Sequence, residues 1–295
     1  MKKIPVIIDT DLTCDDAVAL AMAARYEKLD IKAIAVSGGA ECNTASALAK
    51  QLGINCTVAK GQPKLMFGQC FDTLDMYGTE KDYKPFLTCC EDKTEFADSV
   101  ETIYAEAVKA DGQLEIFAMG PLTDIALAIL RYPQLKKLIK RIVAMVGTGY
   151  VGNAAPYSEY NAWLDPYAAK VVFDSGIPVV ICGLDAVEQS ALTVEDISKL
   201  SPQNPFTAHI LNLYTDSGKL NTDSTASIPA AVAMAYFIDE SVGTAQDFYV
   251  AVETKSSSNR GWTIVDRLGK YKKQPNIKVV TLTDKQKFAQ QLQNI

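Results

Sequence analysis

Only one histidine, His209, occurs in the chain, and it lies in a helix-like stretch that reads as structural. Cysteine is sparse and unordered: Cys14, Cys42, Cys56, Cys70, Cys89, Cys90 and Cys182 are odd in number and show no Cys-x-x-Cys spacing. That pattern offers neither a zinc knuckle nor a disulfide framework, and it fits free thiols in a reducing cytoplasm. No stretch of ~18 apolar residues is present, and Met1 to Asp11 carries no basic-then-apolar leader, so neither a membrane span nor a signal peptide is expected. Positive charge is also in deficit. Lys and Arg number 29 against 35 Asp and Glu, for a net charge of -6. An acidic chain of this kind argues against a nucleic-acid or anionic-membrane surface. There is no internal repeat, low-complexity tract or linker. With 48% hydrophobic and 22% charged residues, the expectation is one cytoplasmic globular domain over residues 1–295.

What the chain does have is concentrated near its start. The apolar run Val6-Ile7-Ile8 leads straight into Asp9, Asp11, Asp15 and Asp16, four carboxylates within eight positions. Like charges so close repel one another unless a divalent cation, hydrogen-bonding hydroxyls or raised pKa values compensate. Ile4 to Ile8 reads as a buried strand and Asp15 to Arg25 as a helix with Ala17, Leu20, Ala21 and Ala24 on one face. Asp15 and Asp16 then sit at a helix N-terminus, where the dipole favours negative charge. Asp9 and Asp11 lie at the carboxyl end of a strand, the edge where open α/β sheets bind ligands.

The same rhythm continues: strand Ile31 to Val36, helix Asn43 to Leu52, strand Asn55 to Ala59. Lys60 to Glu91 interrupts it with glycines, prolines and aromatics of no clear period, an irregular insertion suited to a substrate wall. Alternation resumes with helix Lys93 to Lys109, strand Leu114 to Ala118, helix Leu122 to Leu130, a short helix from Pro133, and strand Arg141 to Met145. A second polar and aromatic loop spans Val151 to Trp163. Asp165-Pro166 opens helix Tyr167 to Phe173, and strand Pro178 to Cys182 follows. From Thr193 the pattern turns mainly helical, with Val194 to Leu200, Phe206 to Tyr214 and Pro229 to Phe237. Strands are expected at Tyr249 to Thr254, Trp262 to Val265 and Ile277 to Thr281, then a closing helix from Thr283 to Gln293 with Thr283 and Gln286 at capping-box spacing. The fold class expected is α/β, an open and mostly parallel sheet flanked by helices, with a helical C-terminal region.

Three chemistries compete for the acidic cluster. A calcium-binding EF-hand loop needs a liganding side chain at 13, Gly at 14 and Glu at 20, where this chain has Thr13, Cys14 and Leu20. Phosphoryl-transfer enzymes of the haloacid dehalogenase type carry Asp-x-Asp-x-Thr after a strand. Asp9-Thr10-Asp11-Leu12-Thr13 matches that, with Ser37 as a possible second motif. That reading leaves Asp15 and Asp16 without a role, and its final acidic motif fits Gly183-Leu184-Asp185 poorly. The third is a resemblance. Asp9-Thr10-Asp11 followed by Asp15-Asp16-Ala17 resembles the signature of the inosine–uridine-preferring nucleoside hydrolases. Ala118 to Thr123, Gly152-Asn153, Glu159-Tyr160-Asn161, Asp165-Pro166, Gly183-Leu184-Asp185 and Gly261-Trp262-Thr263 with Asp266 are similar to later family segments in the same order.

The resemblance implies a hydrolase that cleaves the N-glycosidic bond of a ribonucleoside or related ribosyl compound, with a non-catalytic ribosyl-binding protein as the alternative. It implies Ca²⁺ held by Asp11, Asp16 and the carbonyl of Met119, and a water deprotonated with help from Asp11. Asp15, Asn153, Glu159 and Asn161 would hold sugar hydroxyls. A small-molecule nucleoside is the implied partner, and homodimers or homotetramers the implied assembly. The chain departs from the family at the opposite wall. Ile228 stands where a fourth calcium ligand is expected and Ser227 where a histidine is expected. The usual His-Gly reads Tyr77-Gly78, and a usual Asn reads Gly39. Tyr77, Asp223, Ser227 and Cys14 are the candidates on the leaving-group side.

Overall fold

The computed structural model describes residues 3–37, 40–66, 79–88, 94–200, 205–215, 225–293 and 295. Strands β1 (Ile4–Thr10), β2 (Leu29–Val36), β3 (Thr57–Lys60), β4 (Ala97–Asp98), β5 (Leu114–Ala118), β6 (Ile139–Ala144) and β7 (Val179–Ile181) alternate with helices. Further along come β8 (Leu192–Thr193), β9 (Thr225–Ala226), β10 (Gly243–Phe248), β11 (Val250–Val252), β12 (Thr263–Val265) and β13 (Ile277–Thr283). Nine of these form one sheet in the order β10-β13-β7-β6-β5-β1-β2-β3-β4, and β8-β9 and β11-β12 are small separate pairs. Within the large sheet only β10 and β13 run antiparallel. The mostly parallel, helix-flanked α/β sheet is as the sequence leads one to expect.

Strand alternation divides the core in two. Successive side chains on a strand face opposite sides. Val6 and Ile8 of β1 therefore join Ala17, Leu20 and Leu48 and the helix Pro229–Ile238 on one side. Ile7 joins Val100, Ile103, Ile125 and Ala168 on the other. Burial on both faces explains why β1 and β5 are almost wholly apolar rather than alternating. The connections proceed outward from β1 in both directions, through β2 to β4 on one side and β5 to β7 on the other. The strand order thus reverses between β1 and β5, and a crevice opens at their carboxyl ends, which is where such sheets place ligands.

Local details differ from the sequence pattern where side-chain chemistry overrides it. The closing helix spans Lys285–Leu292 and is capped by Asp284, which accepts from Gln286 N (3.0 Å) and Lys287 N (3.1 Å). The Thr283 hydroxyl instead donates to the Ala186 carbonyl (2.6 Å), so the expected Thr283–Gln286 box does not form. The helix expected from Lys93 starts at Ser99, because Asp98 caps it by accepting from Glu101 N (3.0 Å). A short helix, Tyr160–Leu164, lies inside what reads as loop, and β10 has no counterpart in the sequence pattern. Of the Lys60 to Glu91 insertion, the helix Glu80–Tyr83 and the 3₁₀ turn Lys84–Phe86 are described. Tyr77, Gly39 and Asp223 lie outside the described residues. Among the described residues no helix is long and apolar enough to cross a membrane.

Candidate active site

The carboxyl edge of β1 is held between its neighbours by main-chain bonds. Ser37 N donates to the Thr10 carbonyl (2.8 Å), and Met119 N donates to the Asp9 carbonyl (2.8 Å). Asp9 and Asp11 are thereby presented at the centre of the sheet edge. The pleat then separates the four carboxylates. Asp9 projects to the side of Ile7, accepts from Ser37 Oγ (3.2 Å) and feels the charge of Asp124 on the helix Thr123–Arg131. Burial and that charge raise the Asp9 pKa well above the usual carboxylate range.

Asp11, Asp15 and Asp16 gather on the other side. Thr10 Oγ1 donates to Asp16 Oδ2 (2.6 Å), Asp11 N donates to the same oxygen (3.2 Å), and Leu12 N donates to Thr10 Oγ1 (3.0 Å). The turn from Thr10 to Thr13 is therefore wrapped around the Asp16 carboxylate. Thr13 precedes the helix Cys14–Arg25 as its cap residue, and its hydroxyl donates to Asp15 Oδ1 (2.7 Å). Asp15 Oδ2 accepts from Ala230 N (2.9 Å), in the first turn of Pro229–Ile238. A carboxylate there meets the positive end of a helix dipole, and one side chain joins two helix N-termini.

The electrostatics follow from this crowding. Burial, then the charge of Asp15, pushes Asp11 up to about 7, with smaller contributions from Asp9 and Glu159. Asp16 is raised well above its ordinary value by burial and the charges of Asp11 and Asp15. Asp11 N and Thr10 Oγ1 both donate to Asp16 Oδ2, so the crowded carboxylates are held together by donors as well as pushed up by burial. Asp15 is also raised by burial, against the hydrogen bonds of Ala230 N and Thr13 that favour its charged form.

Asn161 and Glu159 come from the short helix Tyr160–Leu164. Glu159 caps it, accepting from Asn161 N (2.8 Å) and Ala162 N (3.1 Å), and also takes Gly147 N (2.9 Å). Burial lifts Glu159 to about 7 in spite of these donors. Asn161 Nδ2 donates to the Met119 carbonyl (2.6 Å) and to the Met145 carbonyl (3.0 Å), so this amide ties the ends of β5 and β6 together. Asn153 Oδ1 accepts from Tyr160 N (2.8 Å) and fixes the start of the same helix.

The opposite wall differs in kind. Ser227 Oγ donates to Glu188 Oε1 (2.9 Å). Ile228 is 1% exposed and packs in the apolar core on the Val6 and Ile8 side of β1. It has no ligating atom on its side chain. His209 sits on Pro205–Leu213 with its ring against Phe86, centroids 3.5 Å apart.

Could the site take a hard dication? Among the described residues no three His, Cys, Asp or Glu side chains gather into a metal cage. An ion at the place the family resemblance implies would have Asp11, Asp16 and the main-chain carbonyl of Met119 as its protein ligands, and would complete its shell with solvent or substrate oxygens. Such an all-oxygen set suits Ca²⁺ rather than a thiophilic metal. Burial and the like charges of their carboxylate neighbours raise Asp11 and Asp16 here, which marks a place where positive charge is favoured. The donor set fits Ca²⁺ in chemistry, with fewer protein ligands than a carboxylate at 228 would give.

A sequence profile described as inosine-uridine preferring nucleoside hydrolase matches residues 6–290. The chain belongs to that family. It is 30% identical over 290 residues to a pyrimidine-specific ribonucleoside hydrolase, RihB, of Escherichia coli, covering 95% of this chain and 92% of that one. Among solved structures, an inosine-guanosine nucleoside hydrolase superposes with a TM-score of 0.86 at 25% identity, covering 98% of each chain. A plant nucleoside hydrolase reaches the same TM-score at 22% identity, covering 98% of this chain and 97% of its own, which shows the shared fold. The family's activity is hydrolysis of the N-glycosidic bond of ribonucleosides, and this chain carries its fold.

Within that family frame, several sequence motifs prove to be braces. Asp185 of Gly183-Leu184-Asp185 accepts from Thr148 Oγ1 (2.9 Å) and Gly149 N (2.7 Å). Thr263 exchanges two bonds of 2.8 Å with Thr148 through its hydroxyl. Asp165 accepts from Thr123 Oγ1 (2.8 Å) and Met66 N (2.9 Å), joining the Gly120-Pro121 turn to the start of the insertion. Gly120 is obligatory for a steric reason. A Cβ there would lie 2.5 Å from Ser37 Oγ and 3.2 Å from Asp11 N. Gly120→Ala is expected to destabilise the protein by ~1–3 kcal/mol in chemical denaturation.

Three residues near the site carry no sequence signal. Thr10 appears only as the middle of Asp-Thr-Asp, yet its hydroxyl holds Asp16. Asp124 follows Gly-Pro-Leu-Thr, and burial lifts it to about 6. Tyr83 lies in the aperiodic insertion, and its hydroxyl donates to the Leu12 carbonyl (3.0 Å).

Proposed function

We propose that this protein hydrolyses the N-glycosidic bond of a ribonucleoside or related ribosyl compound, with Asp11 as general base toward the attacking water. The observation that carries this is the placement of Asp11 at the carboxyl end of β1, at the sheet's switch point, with Asp11 N and Thr10 Oγ1 both donating to Asp16 Oδ2 beside it. With a cation bound beside it, Asp11 would be charged and so able to accept a proton from the attacking water. Asp15 and Glu159 place further negative charge around the same point, which favours a sugar that becomes cationic as its base departs.

Asp11, Asp16 and the Met119 carbonyl would hold Ca²⁺. When bound, Ca²⁺ supplies a fixed positive charge that acidifies water and orients ribose hydroxyls. Asp15, Asn153, Glu159 and Asn161 would bind the sugar. Asn161 suits this because its amide nitrogen is committed to Met119 and Met145, which turns its oxygen into a positioned acceptor. Glu159, raised to about 7, can meet a hydroxyl as acceptor or donor. On the leaving-group side the candidates are Tyr77 and Ser227, and in addition Cys14 and Asp223. A nucleoside as partner, a homodimer or homotetramer as assembly, and one domain over residues 1–295 complete the proposal.

The test is reducing-sugar release from purine and pyrimidine nucleosides with Ca²⁺ in excess. The panel spans both classes because RihB is pyrimidine-specific and the structural neighbour acts on inosine and guanosine. Turnover of at least one ribosyl compound is expected, and none on any of them would sink the proposal. The burial of Ile228 in the core favours a second reading, a ribosyl binder without turnover. Calorimetry would separate the two, since ribose binding indifferent to chelator supports the binder.

A further inference from the structure

We infer that Tyr83 is a positioning residue for the Asp11–Asp16 site, acting by pinning the carbonyl of Leu12 in a backbone conformation that leucine does not otherwise favour. The inference rests on the proposed function for what the site does, and on geometry alone for the pin. Leu12, between Asp11 and Thr13, has φ +64 and is fully buried. The left-handed region crowds a Cβ against the backbone, so a leucine stays there only when its surroundings hold it.

Two bonds do so from opposite sides. On the inner side Leu12 N donates to Thr10 Oγ1 (3.0 Å), the same hydroxyl that holds Asp16. On the outer side the Leu12 carbonyl accepts from Tyr83 Oη (3.0 Å). A buried carbonyl deprived of its donor has a standing reason to rotate. Free of that bond, Leu12 can leave the left-handed region by turning about its own φ and ψ, which would swing Asp11 and the helix cap Thr13 out of register with Asp16.

Tyr83 is itself immobilised. Its side chain is fully buried, and its ring meets Phe206 edge to face, with centroids 6.0 Å apart and planes at 86°. One turn on, Phe86 meets His209 on the same helix as Phe206. Cys14 Sγ lies 3.7 Å from the Thr79 carbonyl and 3.9 Å from Asp82 Oδ2, a second tie between this segment and the acidic turn. The helix Glu80–Tyr83 therefore bears on the turn as a fixed abutment, with the hydroxyl as its point of contact.

The test compares the full-length wild type with Tyr83→Phe and with Phe206→Leu. Tyr83→Phe keeps the ring and removes the hydroxyl; Phe206→Leu loosens the packing and leaves the hydroxyl. Hydrogen exchange at Leu12, Thr13 and Cys14, read by mass spectrometry without metal, is expected to quicken about tenfold in Tyr83→Phe. Calorimetric Ca²⁺ affinity, measured with no nucleoside present, is expected to weaken about tenfold in the same variant. Phe206→Leu is expected to lower the melting temperature and to weaken Ca²⁺ affinity clearly less than Tyr83→Phe does, because the hydroxyl bond to Leu12 remains. Unchanged exchange in Tyr83→Phe overturns the pin, and quickened exchange with unchanged Ca²⁺ affinity overturns its positioning role. A wild type that takes no Ca²⁺ overturns the metal assignment instead, and the pin is then decided by the exchange rates.

Discussion

Asp11→Asn is expected to lower nucleoside hydrolysis by about 10³-fold, within the range that removal of a positioned acid–base group produces. Asparagine has the shape of aspartate and the hydrogen-bonding capacity to stay in the turn, but it cannot take a proton from water. Substitution also removes a charge that Asp15, Asp9 and Glu159 oppose, so the metal-free variant should melt no lower than the wild type. Loss of activity would then report lost chemistry rather than lost fold. Asp9→Asn provides the contrast. Its side chain lies on the opposite side of β1, against Ser37 and Asp124, and should leave the rate within about tenfold of wild type. Initial rates of sugar release at saturating nucleoside, with calorimetric Ca²⁺ affinity measured in parallel, check both. An Asp11→Asn rate within tenfold of wild type would remove Asp11 from the base role.

The division between legible and illegible follows the range of the forces involved. The strand–helix alternation is a local hydrophobic pattern, so β1, β2, β5 and their helices can be read from apolar periodicity. The placement of Asp9 and Asp11 at a sheet edge follows from β1 alone. Its position at the switch point depends on strand order, which pairs β1 with β5 across more than a hundred residues and leaves no local trace. The same holds for Asp15, whose bond to Ala230 N links residues 215 apart. Asp284 displaced Thr283 as the closing cap because the Thr283 hydroxyl found a carbonyl on a distant helix. Tyr83 was hidden for the opposite reason. It lies in a stretch without periodicity, and its importance comes from one hydroxyl and from the left-handed Leu12 it meets. A family motif can mark which residues gather, but Asn161 shows its limit. The motif marks Asn161 but not the two strand-end carbonyls that its amide nitrogen ties together, which leave its oxygen as the acceptor facing outward from them.

Metal-free protein is expected to lose stability as pH rises from about 4.5 to about 7, and to regain it when Ca²⁺ is added. The sign follows from linkage. Glu159 has an ordinary value of 4.5 and a folded value of about 7, and Asp11 moves from 3.8 to about 7. Between those limits the folded protein binds more protons than the unfolded chain, so each step up in pH favours unfolding. Stability from these groups is fully present below their unfolded values and is lost as pH passes through their folded ones. For Glu159 alone, 1% exposed, the span corresponds to ~3 kcal/mol between its two protonation states. Asp16 and Asp15 are raised in the same direction. Groups with lowered values do not offset this. Asp196, held at about 2 by Lys285, titrates mostly below the window, and Glu41, lowered by Lys84, opposes the trend only near its acid end. A dication between Asp11 and Asp16 would reverse the trend, because it favours the charged carboxylates that protons otherwise neutralise. Melting curves in chelator at pH 5 and pH 7.5 should show the lower midpoint at pH 7.5, with excess Ca²⁺ raising that midpoint far more than the one at pH 5. A midpoint in chelator that rises with pH across this window would show that the carboxylates are not protonated in the fold. A Ca²⁺ response equal at both values would show that the ion binds away from them.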